Sequence, residues 1–140
     1  MATTSPPQDA RILIADDSEL IVELIRAMLE RSGYRALFST HNGLETLAKV
    51  EELQPDIVLL DIGLPDLDGY EVVRRLRAID RPRRLGIIIQ TGKDTADEFR
   101  LAVEAGADDI VFKPINRGKL LAAIERQLLS AQAYPPPSVE

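Results

Sequence analysis

Five short apolar runs, each followed by a segment whose apolar residues recur at helical spacing, constrain this chain more than any other feature. Arg11 to Ala15, Tyr34 to Ser39, Ile57 to Leu60, Ile87 to Gln90 and Ile110 to Phe112 read as strands. After the first, Asp16-Asp17-Ser18 is a helix-opening signal. Leu20, Ile21, Leu24, Ile25, Met28 and Leu29 then predict an inner helical face, and Gly33 stands where a helix stops. Asn42-Gly43 opens a second helix with an expected inner face of Leu44, Leu47 and Ala48, and Pro55-Asp56 stops it. A turn-rich stretch, Gly63 to Gly69, leads into a third helix through Arg77. A fourth is expected to bury Phe99, Leu101, Ala102 and Ala105 and to end at Gly106. Asn116 is placed to cap a fifth carrying Leu120, Leu121, Ile124 and Leu128. Such an alternation predicts an α/β domain, a five-stranded parallel sheet doubly wound by helices on both faces with right-handed crossovers.

Length and charge narrow the class. The 140 residues suit one domain, and with aromatics at 4% the core must be aliphatic. A net charge of −6 argues against direct nucleic-acid binding and against an anionic membrane surface. Without cysteine there is no thiol catalysis and no zinc–thiolate site, and one histidine, His41, excludes a site built from several imidazoles. His41, before Asn42-Gly43, reads as an exposed structural residue. The apolar runs are too short to span a bilayer, and Met1 to Asp9 lacks the pattern of a signal peptide, so a cytoplasmic setting is expected. Residues 1–9 read as a disordered leader, 10–130 as the domain, and 131–140, with Pro135 to Pro137, as a tail or linker. Arg74, Arg75, Arg77, Arg81, Arg83 and Arg84 crowd the third helix and its following loop; a solvated basic face is the favoured reading.

In an open α/β sheet, ligands bind beyond the carboxyl ends of the strands. There the sequence sets Asp16 and Asp17 after the first strand, Asp61 after the third, Thr91 after the fourth and Lys113-Pro114 after the fifth. Each alone reads as a cap or a solvated group; together they share the ligand-binding edge. Carboxylates about 4 Å apart repel by roughly 4 kcal/mol at an effective dielectric near 20. One lysine does not balance three of them. A hard divalent cation with oxygen ligands does, and magnesium, with the phosphate chemistry it serves, is the expected ion.

These residues carry a family resemblance. Ile14-Ala15-Asp16-Asp17-Ser18, Asn42-Gly43, Pro55 to Asp61, Leu64-Pro65-Asp66-Leu67-Asp68-Gly69, Thr91-Gly92, Gly106-Ala107-Asp108-Asp109 and Lys113-Pro114 occur in order. From about Arg11 to about Leu129 the chain resembles the receiver domain of bacterial two-component response regulators. The spacings of 44, 30 and 22 residues between Asp17, Asp61, Thr91 and Lys113 agree with that family. The resemblance implies a flavodoxin-like (βα)5 fold with strand order 2-1-3-4-5. It implies that Asp61 accepts a phosphoryl group from a histidine kinase or phosphotransfer protein. Asp16 and Asp17, with Asp61 and the Gly63 backbone carbonyl, would hold Mg2+. Lys113 would contact the phosphoryl oxygens, Thr91 would act as the switch, and the peptide before Pro114 would be cis. The output partner would dock on the face of the fourth helix, fifth strand and fifth helix, the protein being a monomer or a phosphorylation-dependent dimer. The only chemistry implied is self-phosphorylation and self-dephosphorylation.

Three positions are distinctive. Ile110 stands where many receivers carry an aromatic ring that turns inward on activation. Phe112 shares its face by strand period, although a core-filling phenylalanine is the favoured reading. Gly63 and Lys93, each two residues after a site residue, occupy positions that tune self-hydrolysis in the family. Two other readings remain at this point: a receiver-like interaction module that is not phosphorylated, and a haloacid-dehalogenase-like phosphatase. The latter needs a second Asp where this chain has Gly63.

Overall fold

The computed structural model describes residues 8–79, 81, 84–93 and 95–133, with side chains as far as residue 130. Most of the expected leader, the expected tail beyond residue 133, and Arg83 lie outside the described residues. Elements alternate throughout: β1 (Arg11–Ala15), α1 (Glu19–Arg31), β2 (Ala36–Thr40), α2 (Gly43–Leu53), β3 (Ile57–Asp61), α3 (Gly69–Ala78), β4 (Gly86–Thr91), α4 (Ala96–Ala105), β5 (Asp109–Phe112) and α5 (Arg117–Ala133). The strands form one parallel sheet in the order β2-β1-β3-β4-β5. The fold is therefore the doubly wound, flavodoxin-like (βα)5 arrangement expected. α5 runs on to Ala133, into the segment read as a tail.

Strand period divides the core in two. Ile12, Ile14, Ile57, Leu59 and Ile88 face α1 and α5, where Val22, Ile25, Leu29, Leu120 and Ile124 meet them. Leu13, Val58, Leu60, Ile87 and Ile89 face the other way, onto Val50, Val72, Val73, Leu76, Ala102 and Ala105 from α2, α3 and α4. Every residue of β3 and β4 is buried, as a central parallel strand covered on both faces requires. Burying one such aliphatic side chain contributes about 1.5–3 kcal/mol.

Several inner faces differ from expectation. α1 buries Val22, Ile25 and Leu29, while Leu20 and Leu24 are exposed. At 3.6 residues per turn, both lie about 200° round the helix from Val22, on a flank the sheet does not reach. α2 buries Gly43, Thr46 and Val50 and leaves Leu44 and Ala48 outside, because its start is pressed against the β3–α3 loop. In α4, Ala102 and Ala105 are buried as expected but Phe99 is exposed. Tyr34, expected in β2, instead closes α1: its N–H donates to Leu29 O at 3.1 Å after Gly33, at φ 99°, reverses the chain.

Candidate functional site

Local sequence brings the candidate residues to one edge. Ser18, Asn42, Asp68, Thr95 and Asn116 each accept a hydrogen bond from a backbone N–H in the first turn of the helix that follows. Every strand-to-helix turn therefore ends in a cap, and the residue just after the strand is free to face outward. Ala15 pairs with Leu60, and Asp61 with Gln90, so Asp16 and Asp61 emerge from neighbouring strands next to the point where the strand order reverses.

Asp16, Asp17 and Asp61 each bring a carboxylate oxygen within 4.8 Å of the other two. Asp16 is fully buried, Asp61 nearly so, and Asp17 exposed. Asp16 Oδ1 accepts from Ser18 N–H at 2.9 Å, whereas its buried Oδ2 has no hydrogen-bond partner among the described residues. Burial pushes the Asp16 carboxyl above its ordinary value, and the charges of Asp61 and Asp17 add to this. The Ser18 N–H and Lys113 oppose it. Asp61 Oδ1 accepts from Gly63 N–H at 3.1 Å.

Lys113 Nζ lies 3.3 Å from Asp61 Oδ1 and 3.6 Å from Asp16 Oδ2. Its N–H donates to Thr91 O at 2.8 Å, and the Lys113–Pro114 peptide is cis. Thr91 is buried, and its Oγ1 accepts from Lys93 N–H at 3.1 Å. All the candidate residues therefore come together. The donor set also fits a hard divalent cation: oxygen ligands, an excess of negative charge over the Lys113 ammonium, and one buried carboxylate oxygen without a hydrogen bond among the described residues. At 4.8 Å the buried pair Asp16 and Asp61 repels by about 3–4 kcal/mol at an effective dielectric near 20, and solvent screens the exposed Asp17 charge to much less.

Other readings resolve as well. His41 is half-exposed, with Nε2 2.7 Å from Glu19 Oε2, a surface tie between α1 and the turn before α2. Phe112 pairs with Thr91 in the β4–β5 ladder and is half-buried, outside both core clusters, so it does not fill the core. The arginines are not one solvated face. Arg74 and Arg75 pair with Glu71, whereas Arg77 is largely buried against Leu85, Gly106 and Asp108. The sequence reading missed Gln90, fully buried opposite Asp61. A lone amide inside an apolar strand was its signal.

Comparison with known proteins matches the family and the fold. Residues 12–125 match the family model described as the response regulator receiver domain. The chain is 38% identical over 128 residues to the alkaline phosphatase synthesis transcriptional regulatory protein PhoP of Bacillus subtilis. The match covers 91% of this chain and 52% of that one, so the chain spans about half the length of this relative. Among solved structures, a CheY-like response regulator receiver domain protein from Methanospirillum hungatei superimposes with a TM-score of 0.80 at 30% identity, covering 89% of this chain and 98% of that one. The chemotaxis response regulator CheY4 of Vibrio cholerae gives 0.78 at 26%, covering 85% and 98%.

Proposed function

Since the chain belongs to the response regulator receiver domain family, we propose that it works as a phosphorelay receiver with Asp61 as its phosphoacceptor. One observation carries the reading: three carboxylates and one lysine, delivered by β1, β3 and β5, meet at the carboxyl edge of the sheet, and a buried Asp16 oxygen has no hydrogen bond among the described residues. A non-phosphorylated interaction module would have no use for this charge arrangement, which costs stability.

In the proposed reaction an Asp61 oxygen attacks the phosphorus of a phosphohistidine on a histidine kinase or phosphotransfer protein. The P–N bond breaks as the P–O bond forms, and the imidazole leaves with the electron pair. A carboxylate nucleophile needs no general base to activate it. Asp16, Asp17, Asp61 and the Gly63 carbonyl would hold Mg2+, which offsets charge on the transferring group. Lys113 would pair with a phosphoryl oxygen, being 3.3 Å from Asp61 already. Thr91 would turn its hydroxyl from Lys93 N–H to the phosphoryl group. Two hydrogen bonds to a charged group are worth about 3–6 kcal/mol, and a shift from 1:99 to 99:1 needs about 5.5 kcal/mol. Thr91 and Lys113 together thus reach the switch requirement only at the top of that range, if both bonds form in the active state alone.

The receiver family is not one of conventional enzymes, and self-phosphorylation with self-dephosphorylation is the whole chemistry proposed. The adduct's lifetime would be set at Gly63, where a Cβ would stand 3.8 Å from Asp61 Oδ1, and at exposed Lys93. Receivers act through partners. The output surface proposed is the α4–β5–α5 face, where Phe99 and Val103 are exposed beside a groove reaching Ile110 and Arg126. With Ile110 lacking a ring, Phe112 beside Thr91 is the candidate aromatic readout. Among the described residues no helix is long and apolar enough to cross a membrane; a cytoplasmic setting is proposed, with residues 10–130 as the receiver unit.

The test is incubation with Mg2+ and acetyl phosphate, followed by mass spectrometry. A hydroxylamine-labile phosphoryl adduct that disappears in Asp61→Ala is expected. No adduct on the wild-type protein would favour the interaction module instead.

A further inference from the structure

Beside the site, three backbone amides converge on the carboxylate of Asp66 in the β3–α3 loop. Oδ1 accepts from Gly43 N–H at 2.6 Å and from Leu67 N–H at 2.9 Å, and Oδ2 accepts from Leu44 N–H at 2.9 Å. Gly43 and Leu44 begin α2, whose own cap, Asn42, serves Glu45 N–H. A residue from a different connection thus satisfies amides that the local cap leaves open, and it sets negative charge at the positive end of the helix. Hydrogen bonds from Leu44 and its neighbours hold the Asp66 carboxyl below the usual carboxylate range, so it stays ionised at neutral pH.

Two close approaches make the junction tight. A Cβ on Gly43 would lie 3.0 Å from both Leu67 Cβ and Val72 Cγ2. A Cβ on Gly69 would lie 2.7 Å from Ile62 Cα. The loop from Ile62 to Gly69 is therefore folded against itself and pressed onto the first turn of α2. Gly63 sits inside this loop, with its N–H on Asp61.

We propose that Asp66 is a positioning residue for the magnesium site, clamping the β3–α3 loop to the start of α2 so that the Gly63 carbonyl is held where the metal needs it. This rests on the proposed role of Gly63 as a ligand. Residues that orient metal ligands commonly change affinity about 10–100-fold when removed. Asp66 orients a backbone ligand three residues away, so the low end of that range is expected.

The full chain, as wild type, Asp66→Ala and Asp66→Asn, is titrated with Mg2+ by calorimetry at a temperature where circular dichroism shows it folded. Asp66→Ala is expected to weaken Mg2+ binding by about tenfold, and Asp66→Asn, which keeps one acceptor oxygen, by less. With acetyl phosphate as donor, the Mg2+ concentration for half-maximal labelling should rise in step, while the rate at saturating Mg2+ returns towards wild type. A merely structural staple would lower the melting temperature and leave both Mg2+ readouts unmoved, and that result in Asp66→Ala overturns the clamp. Should Asp66→Ala fail to fold, an unchanged Mg2+ affinity in Asp66→Asn overturns it equally. If wild type binds no Mg2+ at all, the site assignment falls first and the clamp with it.

Discussion

Arg77, in the last turn of α3, donates to the carboxylate of Asp108 in the turn before β5. Its Nε also donates to Gly106 O at 2.8 Å and its Nη1 to Leu85 O at 2.6 Å. Asp108 in turn accepts from Arg84 and from Ile87 N–H at 2.8 Å. Burial pushes the Arg77 guanidinium below its ordinary value, while Asp108 opposes that shift. Removing the arginine would leave a nearly buried carboxylate and two carbonyls short of partners. Arg77→Ala is expected to lose about 3 kcal/mol of stability in urea unfolding. Arg77→Lys should recover less than half, because an ammonium cannot span three acceptors lying in different directions. An alanine variant within about 1 kcal/mol of wild type would show that solvent replaces these bonds.

Gln90 lies opposite Asp61 in the β3–β4 ladder, fully buried, and neither end of its carboxamide has a hydrogen-bond partner among the described residues. It shares a strand face with Ile88, which packs in the aliphatic layer against α1 and α5. A buried polar group left unpaired costs about 1–3 kcal/mol. Gln90→Leu, close in volume, should raise the melting temperature, with a gain of about 1–2 kcal/mol. A loss of stability would mean that the folded protein does bond the carboxamide.

Much of this was readable from residue order, for identifiable reasons. Ile57 to Leu60 and Ile87 to Ile89 are too short for helices and too apolar for an exposed strand. A parallel sheet follows, and with it the edge on which Asp16, Asp61, Thr91 and Lys113 meet. Helical faces were less readable. Leu20 and Leu24 are as apolar as Ile25 and Leu29, and neighbouring elements decide which flank is covered. Contacts across long separations, such as Asp66 with Gly43 or Arg77 with Asp108, leave no periodic trace at all. Arg77 looked like its neighbours Arg74 and Arg75 because charge alone does not say which side of a helix meets the protein.

Tyr70, at the start of α3, donates its hydroxyl to Glu98 in the first turn of α4. This ties α3 to the helix that follows the Thr91 loop. Burial first, then the hydrogen bond and charge of Glu98, push the phenol well above its ordinary pKa of 10.0. Between the unfolded and the raised folded value the native state binds more protons, so stability falls as pH rises through that window. Below about pH 10 the contribution is present in full. Tyr70→Phe should therefore cost about 1 kcal/mol at neutral pH, and its deficit should shrink as pH climbs past 10. Urea melts of both proteins across that range measure it. A deficit independent of pH would assign the loss to packing instead of the hydroxyl.

The carboxylate cluster predicts opposite signs for two neighbouring variants. Asp17 is exposed and has no ion pair among the described residues, yet one of its oxygens lies within 4.8 Å of Asp16 and Asp61. Without divalent metal it contributes repulsion. Asp17→Asn should stabilise the protein by about 0.5–1 kcal/mol, a gain that fades as salt screens an exposed charge. Lys113 is, among the described residues, the cation facing Asp16 and Asp61, so Lys113→Ala should destabilise the metal-free protein by about 1–3 kcal/mol. Added Mg2+ then changes the order. Binding stabilises the native state in proportion to the logarithm of concentration over Kd. Wild type and Lys113→Ala keep all three carboxylates and should gain, whereas Asp17→Asn should gain little. Thermal unfolding with and without Mg2+ separates the cases. Equal stabilisation of wild type and Asp17→Asn would place the metal somewhere other than this edge of the sheet.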